Sequence, residues 1–85
     1  MKLKDTFITH MSNGEQILVD VSGQFSGLIR NNDSAAYIVD CLKSDITVDE
    51  IVNKMNEEYD APKDVLEKSV NDVITKLKSA GAIDE

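Results

Sequence analysis

Side chains that commonly carry out chemistry are few in this sequence and are not clustered. His10 is the only histidine and Cys41 the only cysteine, so one of each cannot complete a zinc site. His10 lies in an apolar segment that is typical of a strand, and Cys41 lies beside a helical core position, where a cysteine acts as a small hydrophobe. The acidic pairs at 49–50 and 57–58 are typical of a solvated helix face. The sequence therefore predicts a non-catalytic chain without metal or cofactor.

The composition restricts the class of partner. The 85 residues carry a formal charge of −7, with a pI near 4.5. Because an acidic surface repels phosphates and anionic lipid, nucleic acid and membranes are not expected partners. The length predicts one domain over residues 1–85, and the lone cysteine favours a reducing cytoplasm.

The first third of the chain is typical of strands. Residues 7–11 and 16–21 are rich in β-branched and apolar side chains, and the intervening Asn13 and Gly14 suit a two-residue hairpin turn. Residues 22–23 indicate another turn, so a third strand is predicted over residues 25–30. These segments predict a three-stranded antiparallel meander.

The middle strand of this meander has two faces of different character, because successive strand residues point to opposite sides. A meander of this size is stable only if other elements cover one face. The apolar face has Ile17, Val19 and Val21, and the more polar face has Gln16, Leu18 and Asp20.

The remaining residues predict three helices. Asn32 is a suitable N-cap for the first, and Thr47 with Glu50 forms the capping box of the second. Pro62 suits the first position of the third helix, and Gly81 suits the residue just past its end. The stripes predicted to be buried are Ala35, Ile38, Val39 and Leu42; Ile51, Val52 and Met55; and Leu66, Val70, Val73 and Leu77.

The order of elements predicts an α+β fold. A three-stranded antiparallel β-meander followed by three α-helices contains the parts of a winged helix-turn-helix domain. Ala82 and Ile83 are predicted to pack back onto the core.

Several motifs resemble those of the PqqD family, whose members are also called recognition elements for RiPP precursor peptides. The strand-to-helix segment GLIRNNDSAAYI (27–38) is similar to the family's, as is the second-helix opening TVDEIV (47–52). A third region combines EYDAP (58–62), NDV (71–73) and LKSAGAI (77–83). The order and spacing extend the resemblance from about residue 6 to residue 84. Asn31 departs from the family pattern, in which this residue is usually apolar.

The resemblance implies a module without chemistry of its own. Such modules bind the leader of a ribosomally synthesised precursor peptide and present it to a modifying enzyme, such as a radical SAM protein. In the best-known pathway the product is pyrroloquinoline quinone. The resemblance also implies that the leader is added as a strand beside the third strand, in a groove against the third helix.

The sequence of this chain allows that mode of binding. The third predicted strand contains no proline, and Gly27 leaves room for another backbone. On the third helix, the flank beside the core stripe has several short side chains, although the opposite flank, which carries Ile74, is an alternative. The peptide-binding residues predicted on the strand are Phe25, Ser26, Gly27, Leu28 and Ile29, and those on the helix are Val65, Ser69, Asp72, Val73 and Lys76.

Two other functions fit the same elements. A winged-helix DNA-binding regulator requires a basic third helix, whereas the lysines of this helix are nearly balanced by acidic residues. A general protein-interaction domain is the other alternative. Because an unpaired strand can bind its own copy, the chain is predicted to be a monomer or a homodimer.

Overall fold

The computed structural model describes all 85 residues, Met1–Glu85. Its elements follow the predicted order, with one short strand added at each end of the chain. The strands are β1 (Lys2–Leu3), β2 (Phe7–Ser12), β3 (Glu15–Asp20), β4 (Leu28–Asn31) and β5 (Ile83–Asp84), and the helices are α1 (Asp33–Cys41), α2 (Val48–Glu58) and α3 (Lys63–Ser79).

The predicted antiparallel meander is confirmed, with strand order β2-β3-β4. Asn13 and Gly14 both have positive φ angles, 52° and 76°, which produces the type I′ turn that matches the twist of a hairpin. The turn aligns Ser12 with Glu15 across β2 and β3. On the other side of β3, Leu18 lies opposite Ile29 of β4.

The third strand of the meander starts later than predicted. Residues 25–27 belong to the loop before β4, so the prediction that Phe25, Ser26 and Gly27 are strand residues is wrong. Gly27 has a φ of +107°, which is far from the φ of an extended strand. The N–H of Phe25 donates to the Asp20 carboxylate at 2.9 Å, and the Phe25 ring packs 6.1 Å from that of Phe7. These local contacts hold the segment in a turn.

The buried face of β3 is the more polar of its two faces. Leu18 is fully buried and Gln16 is only 4% exposed, whereas Ile17 and Val19 are half-buried on the outer side. Helices cover the inner side, and apolar side chains from every helix join Leu18 and Ile29 there in one cluster of 16 buried residues.

A chain of hydrogen bonds satisfies the polar groups on this buried face. Asn31 Nδ2 donates to Gln16 Oε1 at 2.9 Å, and Gln16 Nε2 donates to Asp40 Oδ1 at 3.0 Å. The same Asp40 oxygen lies 3.1 Å from Lys43 Nζ. The Asn31–Gln16–Asp40 chain therefore joins β4, β3 and α1, and it gives a structural role to the asparagine that departs from the family pattern.

The predicted helix caps are largely confirmed. Asn32 accepts a hydrogen bond from the Ala35 N–H, and Thr47 with Glu50 forms both bonds of a capping box. Pro62 is the N-cap of α3 and not its first helical residue, since its ψ of 147° is extended. At the other end, Gly81 in the left-handed region allows the Ala82 N–H to reach the Leu77 carbonyl at 2.9 Å, as in a Schellman motif.

The buried stripe of α3 differs from the prediction at one position. Leu66, Val70 and Leu77 are buried as predicted, but Ile74 completes the stripe and Val73 is only half-buried. Both residues are near the edge of the same stripe, and spacing alone does not distinguish them. Ile74, which marked the alternative peptide-facing flank, is only 5% exposed.

The two chain ends pair with each other. Leu3 of β1 lies opposite Ile83 of β5 in a separate two-stranded antiparallel sheet. Ala82 is fully buried, which confirms that this segment packs on the core. No helix of the structure combines the length and apolar character that crossing a membrane requires.

The buried hydrogen-bond chain predicts non-additive stability effects. In Asn31→Leu, the Gln16 carbonyl loses its buried donor, so we expect the free energy of unfolding to fall by about 1–3 kcal/mol. The double variant Gln16→Leu/Asn31→Leu removes both partners and should recover most of that loss. Urea denaturation of the wild type, both single variants and the double variant gives the coupling energy. Simple addition of the two single losses would contradict a direct interaction between these side chains.

Candidate functional site

The outer edge of β4 presents backbone groups that no other strand uses. The type I′ turn makes Ser12–Glu15 a hydrogen-bonded pair between β2 and β3. The backbone groups of successive residues in β3 point alternately to β2 and to β4. The hydrogen-bonded pairs between β3 and β4 are therefore Gln16–Asn31 and Leu18–Ile29. The N–H and C=O groups of Leu28 and Arg30 consequently point away from β3. Four backbone groups are therefore available at this edge for an added strand.

The chain's own termini do not cover this edge. The C-terminal strand β5 pairs with β1 and not with β4. Lys4 continues this pairing, since its N–H donates to the Ala82 carbonyl at 2.8 Å. The C-terminal segment is thereby held elsewhere, and the edge of β4 remains accessible.

A groove lies between the open edge of β4 and helix α3. It has a volume of about 200 Å³ and opens to solvent. Its apolar lining comes from three elements, because Ile29 of β4, Ala35 of α1 and Val73 and Leu77 of α3 meet there. Ala35 is on the first turn of α1, where the small side chain leaves space beside the strand. The groove therefore combines vacant backbone groups with an apolar floor.

Charged side chains at the groove are unevenly paired. Asp72 forms an ion pair with Lys68, its neighbour one turn earlier on α3, at 2.9 Å. Arg30 and Lys76, which also line the groove, belong to none of the five ion pairs in the structure. The groove thus has two unpaired cationic groups in a protein whose net charge is −7.

Four of the predicted site residues line the groove: Ile29, Asp72, Val73 and Lys76. Leu28 is adjacent, on the same open edge, with its side chain 49% exposed on the outer face of the sheet. Val65 and Ser69 are on the same flank of α3 but outside the groove, while Phe25, Ser26 and Gly27 lie in the preceding loop. The residues that sequence reasoning missed are Arg30, Asn31, Asn32, Ala35 and Leu77.

Two of the missed residues had a signal in the sequence. Asn32 and Ala35 both belong to the helix start that follows the third strand, and this strand was already a candidate site. Leu77 had been assigned to the core, and at 1% exposed it is buried there, where it forms the bottom of the groove.

The loop before β4 is organised by one carboxylate. Asp20 accepts hydrogen bonds from the Ser22 hydroxyl at 2.7 Å, from the Ser22 N–H at 2.9 Å and from the Phe25 N–H at 2.9 Å. These bonds favour the ionised form, the Ser22 hydroxyl most strongly, and they lower the pKa of Asp20 below its usual value of 3.8. Asp20 thereby sets the path by which the chain enters β4.

Two other cavities differ in character from the groove. One of about 330 Å³ lies beside β1 and β2 and includes Lys2, Lys4 and Lys43, and one of about 310 Å³ lies between Phe25 and the end of α3. Both are lined mainly by polar groups, and neither borders the open edge of β4. Their larger volumes therefore do not make them better candidates for strand addition.

The side chains first considered for chemistry are not assembled into a reactive group. His10 is exposed on β2, and Cys41 is half-buried on α1. Burial is the main cause that raises the pKa of the Cys41 thiol above its usual value of 9.0, so the thiol is protonated at neutral pH. No three His, Cys, Asp or Glu side chains are grouped as metal ligands.

The family model for coenzyme PQQ synthesis protein D (PqqD) matches residues 15–83. This match covers most of the chain, from β3 to β5. The chain belongs to the PqqD family. None of the curated proteins compared with this PqqD-family chain matches it significantly.

Solved structures share the fold of this PqqD-family chain. One is TbiB1 in complex with the TbiA(beta) leader peptide, with a TM-score of 0.84 and 19% identity; the match covers 99% of this chain and 95% of that one. Another is lasso peptide synthetase B1 complexed with the leader peptide, with a TM-score of 0.79 and 21% identity over 95% and 93% of the two chains. At these identities the likeness establishes the shared fold.

The bonds to Asp20 predict a measurable effect on the loop. In Asp20→Asn, we expect hydrogen-exchange protection at the Ser22 and Phe25 amides to fall at neutral pH. In the wild type, the pKa of Asp20 is lowered, so the carboxylate stabilises the loop fully above pH 3.8. This stabilisation is lost as the pH falls below 3.8. Protection factors measured by NMR check both effects, and the exposed Asp60→Asn is the control. Unchanged protection at both amides in Asp20→Asn would show that the carboxylate does not hold this loop.

Proposed function

We propose that this chain is a non-catalytic adaptor that binds the leader of a ribosomally synthesised precursor peptide and presents the peptide to a modifying enzyme. The leader adds as a strand along the outer edge of β4 and inserts side chains into the groove against α3. The observation that carries the proposal is the vacant edge of β4 beside an apolar groove. Each of these features alone is common, whereas strand addition requires both together.

Family membership supports the same function. PqqD is described as a protein of coenzyme PQQ synthesis, and both solved structures above contain a protein with its leader peptide. Their chains have nearly the same length as this one, since 93–95% of each is covered by the match. The shared fold supports binding of a peptide of this class by the present chain.

The strength of binding can be approximated from the site. Four ladder hydrogen bonds contribute about 0.5–1.5 kcal/mol each, and two apolar anchors in the groove contribute about 1.5–3 kcal/mol each. Association and ordering of an extended peptide cost several kcal/mol. The difference is at most about 8 kcal/mol, so these contacts support a Kd that is micromolar at the tightest, which suits an adaptor that must release the processed peptide.

We assign the modification reaction to a separate enzyme, of which a radical SAM protein is the example that the family suggests. The adaptor holds only the leader, so the remainder of the precursor is free to enter that enzyme's active site. The encounter takes place in the cytoplasm, where the precursor is translated. The adaptor acts as a monomer or as a homodimer, but a homodimer formed through β4 competes with the leader.

Helix α3 does not favour the DNA-binding alternative. Lys68 pairs with Asp72, and Lys78 pairs with Glu85, each at 2.9 Å. Only Lys63 and Lys76 remain as unpaired lysines of this helix. A recognition helix needs a net basic surface to approach phosphates.

Strand addition predicts a specific effect of proline at the β4 edge. Arg30→Pro removes an outward-facing donor that β3 does not use, so the fold should tolerate it. Arg30→Gln makes the same change of charge but retains the N–H group. Using synthetic peptides from short open reading frames next to the gene, we expect fluorescence anisotropy to show at least tenfold weaker leader binding for Arg30→Pro than for Arg30→Gln.

A proline on the opposite edge of the sheet is the matched control. Met11 of β2 is exposed, and by the same alternation its N–H points away from β3. Met11→Pro should leave leader binding unchanged, and light scattering should show the same oligomeric state in every variant. Equal affinities for Arg30→Pro and Arg30→Gln would exclude strand addition at this edge.

A further inference from the structure

The unpaired cations of the groove indicate which peptides it selects. This inference rests on the proposed function, and it adds a preference of that site that strand addition alone does not supply. Backbone hydrogen bonds are formed with any sequence, so the choice between peptides depends on side chains at the groove. The groove offers an apolar floor and two cationic groups, Arg30 and Lys76.

The two cations lie on opposite sides of the strand that would be added. The Arg30 side chain alternates with those of Ile29 and Asn31, which point into the protein, so it belongs to the outer face of the sheet. Lys76 belongs to α3, on the inner side. An added strand therefore passes between a cation near its outer face and a cation near its inner face.

Val73 and Lys76 are three residues apart on α3, and both line the groove. Residues three apart on a helix are separated by about 4.5 Å along its axis, and strand residues on one face are separated by about 6.6–6.8 Å. The long lysine side chain spans the difference. A peptide that places an apolar side chain against Val73 thus brings the next side chain on the same face of the strand near the Lys76 ammonium.

Asp72, the acidic residue at the groove, does not neutralise Arg30 or Lys76. Asp72 is the only acidic residue that lines the groove, and Lys68 already pairs with it. Elsewhere the acidic surface of the protein repels anionic peptides, so the groove is a local exception. A carboxylate that lies beside the apolar side chains of the groove is screened less than one on open surface.

We propose that the groove selects extended peptides in which an acidic residue lies two positions from an apolar anchor. The apolar side chain occupies the floor formed by Ile29, Ala35, Val73 and Leu77. The acidic side chain pairs with Lys76, and an acidic residue at an adjacent position, on the other face of the strand, pairs with Arg30. The charge pair supplies the specificity, and the backbone ladder supplies sequence-independent affinity.

Selection from a displayed library of random twelve-residue peptides tests this preference directly. With wild-type protein as bait, we expect enrichment of Asp or Glu two positions from Leu, Ile, Val, Phe or Met. With Lys76→Glu, the enrichment at that position should change to Lys or Arg. Arg30→Glu is a second variant and should alter the preference at adjacent positions. Lys63→Glu makes the same charge change on α3 outside the groove and should select the same peptides as the wild type.

Individual selected peptides give the magnitude of the effect. Replacing the selected Glu by Gln should weaken binding to the wild type about threefold to tenfold at low salt. The difference between the two peptides should become small near 1 M salt. Fluorescence anisotropy measures both affinities, and circular dichroism verifies that each protein variant is folded.

The outcomes separate this inference from the proposed function. When a selected peptide binds, the NMR amide resonances of the protein that shift should be those of residues 28–31 and 72–77. Binding at these residues without a preference for acidic peptides would overturn the charge selection. A preference that Lys63→Glu changes as much as Lys76→Glu does would also overturn it. Either result would leave strand addition intact. If no selected peptide shifts these amides, both the inference and the proposed function fail.

Discussion

The candidate site depends on the fact that β4 forms strand hydrogen bonds along only one of its two edges. The inner edge of this strand pairs with β3, which fixes Ile29 and Asn31 against the helices. Its outer edge has no partner strand, although free backbone groups of this kind normally invite aggregation or are covered. Here the strand is only four residues long and carries an arginine, and both features limit unspecific pairing. An edge that is retained in this form is suited to a short, extended partner.

The surroundings of β4 hold it in position without closing the open side. The Asn31–Gln16–Asp40 chain connects the strand to β3 and α1 through directional hydrogen bonds. At the start of the strand, Asp20 organises the loop that contains Phe25 and Gly27. Buried hydrogen bonds of this kind add little net stability, but they disfavour arrangements in which their partners are missing. They therefore fix the register of the open edge of β4.

Much of the fold could be predicted from local signals. The turn at Asn13 and Gly14, the caps at Asn32 and Thr47 and the helix end at Gly81 each depend on interactions within a few residues, and each is present in the structure. The start of β4 was predicted three residues too early, because the side chain of Asp20 competes with the ladder for the backbone of the following loop. Four of the nine residues that line the groove, Ile29, Asp72, Val73 and Lys76, were also predicted, because the family resemblance indicated the third strand and the third helix. Their proximity to Ala35 and Leu77 depends on how α1 and α3 pack against the sheet.

The sequence by itself determined the order and type of the main elements and the acidic, single-core character of the chain. These properties follow from spacing, turn residues and composition, which act locally or as sums over the chain. Only the tertiary structure decided that the polar face of β3 is buried, that Ile74 replaces Val73 in the core and that β5 pairs with β1. Each of these outcomes depends on which residues distant in sequence pack together. Packing depends on the complementary shapes of whole surfaces, which a local sequence pattern does not specify. The pairing of the two chain ends is the most consequential, because it leaves the edge of β4 free.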